Sequence, residues 1–473
     1  MGKMATTPEE QQSLLPQTKK GAPSAYRWLV LFITSMLGFG GYYVYDVLPT
    51  IQIDLSSAMH LNDVQYSVFY MAYSWTNCVF CLIGGPLVDR FTNRLGAIIF
   101  QVLISLGQGL LALGAQLNQY WLMIVGRVLL GMGLGNTTVV KNSILNMFFS
   151  GKELATAFGV TITFARIGSC ANFFLSPFIL GKWGYKAVLW IGLGMCGISL
   201  ICTFIYIGLE INAEKKGWIK TGKDNKRKMK IRDICDFPAS FWLMCVVCGL
   251  YHVNIFAMYA VIVDLLKSLF DYSTFIAGVI ASIIYFVSIP GSVMIGAVVD
   301  KIGCRGLMTM LAFIIMIGFD YIFIFTTLTP IPFLVLAGVS YSIVASAVWT
   351  SISVLSPPHV VGTGNSIMTS VQMIFVGSAN IIVGLITQSV GYSGTMVFFL
   401  ICSTIGLLIQ FIIKIVDYST NNNRLDWYTP KRAEQLEAKK AESFAKSEID
   451  SAAVSQEGTA PITQSRSSIN LSD

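Results

Sequence analysis

The sequence predicts an all-α membrane protein with twelve transmembrane helices in two six-helix pseudo-repeats. Three observations predict it. The chain is 54% hydrophobic and only 12% charged, with a mean hydropathy of +0.66, whereas a soluble domain carries about a quarter of its residues as charges. Twelve apolar runs each approach the roughly 20 residues needed to cross a hydrocarbon core. Finally, two charged turns repeat one pattern 211 residues apart, Gly85-Pro-Leu-Val-Asp89-Arg90-Phe-Thr-Asn-Arg94 and Gly296-Ala-Val-Val-Asp300-Lys301-Ile-Gly303-Cys-Arg305. Each joins two runs at the same place in its half, as in a duplicated chain.

The first-half runs extend from Trp28 to Pro49, Val64 to Val88, Leu95 to Ala115, Tyr120 to Met147, Leu154 to Leu180 and Ala187 to Leu209. Those of the second half extend from Phe241 to Leu266, Thr274 to Val299, Gly306 to Thr327, Ile331 to Leu355, Thr363 to Val390 and Thr395 to Val416. Residues 1–27 are polar and lack the apolar core and cleavage site of a removable signal peptide, so the first run is expected to act as an uncleaved signal. Residues 210–240, with Lys215, Lys216, Lys220, Lys226, Arg227 and Arg232, read as a solvated basic linker rather than a lipid-binding patch. The tail, 417–473, is expected to form a short helix near Lys431 to Ser447 and then to be disordered.

Charge placement sets the expected orientation. Arg90, Arg94, Lys152, Lys301, Arg305 and the basic linker fall on one side, against Lys182, Lys186 and Lys267 on the other. By the positive-inside rule both termini are cytosolic. The net charge of +7 therefore reports topology and not a nucleic-acid partner.

In each turn the acid, Asp89 or Asp300, ends a helix where it can pair with Arg90 or Lys301 and face the positive N-terminal end of a helix from the other half. With Arg94 and Arg305 these residues are the expected cytosolic gate. The pattern resembles the cytosolic signature of the major facilitator superfamily, and the resemblance extends across all twelve runs. Thr92 stands where that signature usually has glycine, while Gly303 keeps it. The resemblance implies alternating access, with a substrate site between the halves near the midplane. Gly126, Gly131, Gly133 and Gly135 read as packing positions of the fourth helix. Gly338 echoes Gly126 at an offset of 212, and Gly168-Ser169 is echoed by Gly377-Ser378.

An ionisable side chain inside the bilayer costs about 2.5 to 3.5 kcal/mol or more, so each is a functional candidate. Arg166 falls mid-way along the fifth run, where its planar fork suits a substrate carboxylate or a structural polar partner. Lys141 is either a site residue or snorkels to the surface. Arg127 reads as structural, paired with Asp46, and His252 as a core histidine or a ligand. Asp320 completes the set. Tyr42, Tyr43, Tyr45, Tyr251, Asn254, Tyr341 and Trp349 supply aromatic and amide groups around an expected cavity. No Asp or Glu lies at mid-membrane, which favours uniport over proton coupling, with His252 and Asp46 left as possible proton carriers. Cys78-Val-Phe-Cys81 and Cys245-Val-Val-Cys248 have metal-type spacing but lack His or acidic company and read as packing. No metal or cofactor is expected. No nucleophile–base pair, zinc-protease motif or phosphate loop points to an enzyme.

Several stretches are similar to the lysosomal dipeptide-carrier branch of the superfamily. They are Gly38-Phe-Gly-Gly-Tyr-Tyr-Val-Tyr-Asp46, Tyr73-Ser-Trp-Thr-Asn77, Arg94-Leu-Gly-Ala-Ile-Ile-Phe100, Gly151-Lys-Glu-Leu154, Ala165-Arg-Ile-Gly-Ser169, Val299-Asp-Lys301, Ser340-Tyr-Ser342 and Gly362-Thr363. The resemblance implies that Arg166 receives the dipeptide carboxylate. The branch's fourth helix carries a glutamate for the peptide amine; the matching position here is Gly135, followed by Asn136, and Lys141 replaces a neutral amide. A more anionic cargo is the expectation, with Arg166, Lys141, Asn136, Tyr42, Tyr45, Tyr251, His252 and Trp349 as the substrate site. Glu10-Gln-Gln-Ser-Leu14-Leu15 reads as an acidic dileucine signal for a clathrin adaptor. The loops expected to face the lumen hold no Asn-x-Ser/Thr acceptor, the two sequons being at Asn136 and Asn470. The resemblance then implies a glycosylated accessory membrane subunit, and a second copy of the chain is a further candidate partner. An organic-anion carrier and a transport-dead scaffold or nutrient sensor stay open as alternatives.

Overall fold

A chain crossing lipid has to satisfy its own backbone hydrogen bonds, and the apolar runs do so as helices. The computed structural model describes residues 22–90, 92–149, 151–219, 237–325, 328–355, 361–420 and 424–426. The dileucine signal at Glu10, Leu14 and Leu15 and the tail helix expected after Lys431 lie outside them. So do the side chains of Asp89, Arg90 and Asp300.

The first span runs Ser24–Tyr45, breaks at Asp46 and Val47, and resumes as Leu48–Met59. Pro49, at which the apolar run stops, lies in the first turn of this second piece, where a missing N–H costs nothing. The second span is Asp63–Arg90, the third Asn93–Leu117 and the fourth Tyr120–Phe148. Thr92 caps the third, its hydroxyl accepting from Leu95 N at 3.4 Å, which gives that residue a helix-starting role in the turn. The fifth and sixth spans form one helical stretch, Gly151–Lys215, interrupted only at Gly184 (φ 76°, ψ 173°). That left-handed turn needs glycine. The sixth span ends at Lys215, past the Leu209 at which its apolar run stops.

In the second half the seventh span is Ala239–His252, a π-helical turn Val253–Ala257, and Met258–Phe270. Thr274–Ile302, Arg305–Phe325, Ile331–Leu355, Val361–Val390 and Tyr392–Thr420 are the eighth to twelfth. A 3-10 turn, Arg424–Asp426, follows. Among the described residues ten helices are long and apolar enough to cross a membrane. One of these holds both the fifth and sixth spans, and the 28-residue second span stands outside that count. Exposed Trp121 and Trp183 lie at one end of the bundle and exposed Trp28, Trp242 and Tyr418 at the other, as interfacial anchors do. We term the end holding the turns after Arg90 and Ile302 the motif end, and the opposite one the far end.

Glycines let the helices touch. A Cβ at Gly126 would come within 2.6 Å of Gly107 O, and one at Gly131 within 2.5 Å of Tyr73 O. Gly338 packs instead on Ile284 O of the eighth span, so its echo of Gly126 is one of sequence and not of packing partner. The first half divides into apolar clusters around Leu31 and Ile144, Tyr43 and Leu134, and Leu55 and Tyr66. The second half forms one continuous cluster from Phe241 through Phe313 to Phe399.

The halves meet from the far end to mid-depth. Gly384 abuts Ser67, and Gly278 abuts Phe173 and Pro177. Tyr70 donates to Ala260 O at 3.4 Å, and Ser370 to Cys78 O at 2.9 Å.

Candidate substrate site

The site is built where the two halves meet at mid-depth. Arg166, on the fifth span, is 6% exposed and reaches across the interface. Its Nη1 donates to Ser288 O at 2.5 Å and to the Ser292 hydroxyl, both on the eighth span. The guanidinium lies 4.7 Å from the centre of the Tyr341 ring on the tenth. Ser292 and Ser288 turn their hydroxyls back onto the carbonyls of Ser288 and Tyr285, and Pro290 lies between them inside the helix Thr274–Ile302. Serines that bond back onto their own helix and a proline within it both favour bending. All these partners are neutral, so the fork is held but its charge is unmatched.

Lys141, on the fourth span, is 2% exposed. Its Nζ lies 5.7 Å from the Tyr42 ring centre, in space beside Gly38 where a Cβ would sit 2.5 Å from Nζ and displace the amine. Each cation thus lies over a phenol ring, Lys141 over Tyr42 of the first span and Arg166 over Tyr341 of the tenth. Span 1 stands between them, with Gly168 of the fifth span pressed on Phe39 O.

A polar layer lies further toward the far end. The break after Tyr45 frees the Asp46 carbonyl, and Asn172 donates to it; Ser176 donates to Asn172 Oδ1 at 2.5 Å. Arg127 is fully buried and donates to Tyr45 O at 3.4 Å, with its guanidinium 5.8 Å from the Tyr70 ring centre. The expected Arg127–Asp46 ion pair does not form: the break in the first span presents a carbonyl to Arg127 in place of the carboxylate. Asp46 Oδ2, Arg127 Nε and Arg127 Nη2 stay without hydrogen-bond partners.

The second half supplies a neutral wall. Tyr45 packs between Tyr73, tilted at 4.8 Å, and Phe256, edge-on at 6.1 Å across the interface. Phe256 leads to His252 at 5.3 Å, and His252 to Trp349 at 6.4 Å. His252 Nδ1 lies 2.7 Å from the Cys248 carbonyl of its own helix, the arrangement of a packed histidine. The Tyr251 hydroxyl is 2.7 Å from that of Ser340, and the residue is fully buried, which makes it a brace between the seventh and tenth spans. Asn136 is not brought to this group. Its amide donates to Met132 O at 2.7 Å, and it projects about 140° around the helix from Lys141. At Gly135 a Cβ would lie 2.0 Å from Asn77 Oδ1 and 2.8 Å from Cys81 Sγ, so a side chain there requires Asn77 and Cys81 to shift. Asp320, also fully buried, accepts from Ser403 at 2.9 Å inside the second half.

At the motif end the two arginines serve their own halves. Arg94 pairs with Glu210 at 3.2 Å and with Glu214, both on the sixth span. Arg305 donates to Thr350 at 3.0 Å on the tenth, and Asp426 caps the ninth span by accepting from Gly306 N at 2.9 Å. Arg94, named with the expected cytosolic gate, is thus tethered within its own half to the extended sixth span. Lys301 is exposed. Sequence reasoning missed Ser288, Ser292 and Asn172, because serine and asparagine inside apolar helices carry no periodic signal. Glu210, ending an apolar run and one turn before Glu214, was legible as a helical pair of acids.

Two helical halves closing on buried cations at mid-depth are the architecture of a membrane carrier. The chain belongs to the Major Facilitator Superfamily, whose pattern matches residues 29–379. It is similar to the lysosomal dipeptide transporter MFSD1 of Bos taurus, 33% identical over 421 residues that cover 87% of this chain and 90% of that protein. The Homo sapiens protein of the same name matches at 33% over the same shares of each chain. Among solved structures, a bacterial homolog of the human lysosomal transporter Spinster, in an inward-facing and occupied conformation, has a TM-score of 0.64 at 14% identity. It covers 85% of this chain and 99% of its own, and that likeness is one of fold.

Proposed function

We propose that the chain is a multi-pass lysosomal membrane carrier that moves dipeptides by alternating access, as a uniporter. The observation that carries this reading is Arg166, a guanidinium at mid-depth bridging the halves with neutral partners only. A dipeptide carboxylate is the planar, bidentate partner such a fork favours over a carbonyl and a hydroxyl. By taking Arg166 from Ser288 and Ser292, the substrate loosens a contact that joins the halves, which couples binding to rocking. The relatives' dipeptide activity supports the same cargo.

In this reading both termini face the cytosol and the far end faces the lumen. Asp89, Arg90, Asp300 and Lys301 act as the cytosolic gate, with Arg94 and Arg305 bracing it from within their halves. The dileucine segment binds a clathrin adaptor, and a glycosylated membrane subunit or a second copy of the chain is the companion to look for. The deciding experiment is uptake of radiolabelled alanyl-alanine by proteoliposomes holding the purified chain. Accumulation to equilibrium without a pH gradient, lost in Arg166→Ala, is the expected result; no uptake by the native chain under any gradient overturns the carrier reading.

A further inference from the structure

We infer that Lys141 is a second carboxylate-binding group, so that the preferred cargo is a dipeptide carrying an acidic side chain. This rests on the dipeptide reading above and narrows it. Burying an ammonium is costly unless it is paired and hydrogen-bonded. Lys141 is 2% exposed, yet among the described residues it makes no hydrogen bond or ion pair, and its single favourable contact is the Tyr42 ring at 5.7 Å. One ring near the limit of cation–π range offsets little of that cost.

The surroundings keep the amine in place. Gly38 leaves the space Nζ occupies, and a Cβ there would meet it at 2.5 Å. Tyr42, whose ring lies under the amine, is only partly buried. Each of the two cations thus lies over a phenol ring, Lys141 over Tyr42 and Arg166 over Tyr341, and neither is paired with an acid among the described residues. The acid nearest this layer in the chain, Asp46, turns its carbonyl to Asn172 and leaves Oδ2 unpartnered. One carboxylate uses the fork of Arg166. A second, on the substrate side chain, matches the point charge of Lys141, for which a single ammonium without directional constraint is suited.

The test is uptake of alanyl-glutamate against its neutral isostere alanyl-glutamine by the full chain in proteoliposomes, with glutarate as competitor. The native chain is expected to prefer alanyl-glutamate by about tenfold or more in kcat/KM. Lys141→Gln is expected to bring the ratio close to one, and Gly38→Ala, which crowds the amine, to lower it as well. Equal handling of the two peptides by the native chain overturns the inference and leaves the dipeptide reading standing. Uptake of neither peptide overturns the dipeptide reading and this inference with it. Competition by glutarate as strong as that by alanyl-glutamate supports two-carboxylate recognition but overturns the requirement for a peptide. A ratio unchanged in both variants removes Lys141 from the site.

Discussion

The two halves of this carrier differ at the depth where they meet around Arg166. The first half breaks its apolar core into separate clusters and places Lys141, Arg166 and Arg127 among them. The second packs as one continuous apolar body and offers carbonyls, hydroxyls and rings. Duplication has thus conserved the path of the chain and not the chemistry of its faces. The first half carries the buried cations Lys141, Arg166 and Arg127. The second meets Arg166 with a carbonyl, a hydroxyl and a ring, and in the proposed function a substrate carboxylate displaces them. Asp320, a buried acid of the second half, points inward to Ser403 and the Asn254 network and not toward Arg166.

The comparison breaks most sharply at Arg166. Arg166→Ala removes both the carboxylate fork and the bridge, and uptake is expected to fall by about a hundredfold, with the protein still folded by melting temperature. A variant that transports normally would make the charge of the first half incidental. Next comes the seam. Gly278→Leu drives a side chain into Pro177 Cγ and Phe173 O, 2.6 and 2.7 Å from a Cβ, an overpacking that costs about 1 to 3 kcal/mol in the closed seam. Uptake is expected to drop about tenfold, whereas Gly318→Leu, with nothing within 4 Å of its Cβ, leaves it unchanged.

A smaller effect tests the neutrality of the second half. Asp320→Asn keeps an acceptor for Ser403, so transport is expected within about twofold of native; Asp320→Leu strands that hydroxyl and lowers stability by about 1 to 3 kcal/mol in a denaturation assay. If Asp320→Asn abolishes transport, the second half carries functional charge after all. The smallest effect is expected at the motif end. Glu214 is 42% exposed in its pair with Arg94, so Glu214→Gln should change stability by about 0.5 kcal/mol or less. Glu210, whose side chain is fully buried, holds the other contact of Arg94.

Much of this was legible before any coordinates. The paired turns announced the duplication, and the lengths of the apolar runs placed the helices. Arg166 and Lys141 stood out because charges inside a bilayer are rare. Other features were not legible, for physical reasons that particular residues display. Pro49 reads as a stop in a linear sequence, yet it starts a second helix, because position in the first turn decides what proline does. Arg94 reads as one of the gate residues, and its partners Glu210 and Glu214 on the sixth span lie too far along the chain for spacing to reveal them. Arg127 and Asp46 have complementary charges and close positions, and the break after Tyr45 turns a carbonyl toward the arginine instead. Asn136, next to the informative Gly135, faces away from Lys141 because five residues along a helix turn it by about 140°.

By itself, the sequence determined that this chain spans a membrane in two related halves and that its inner charge is positive, since hydrophobic length and the cost of buried charge are properties of residues one at a time. Tertiary structure alone decided which cation is held and which is left over. Arg166 meets Ser288, Ser292 and Tyr341 only because the two halves close on each other, and Lys141 lies over Tyr42 only because Gly38 yields space on a neighbouring helix. Partnership depends on distance and direction in three dimensions, and no spacing along the chain encodes it.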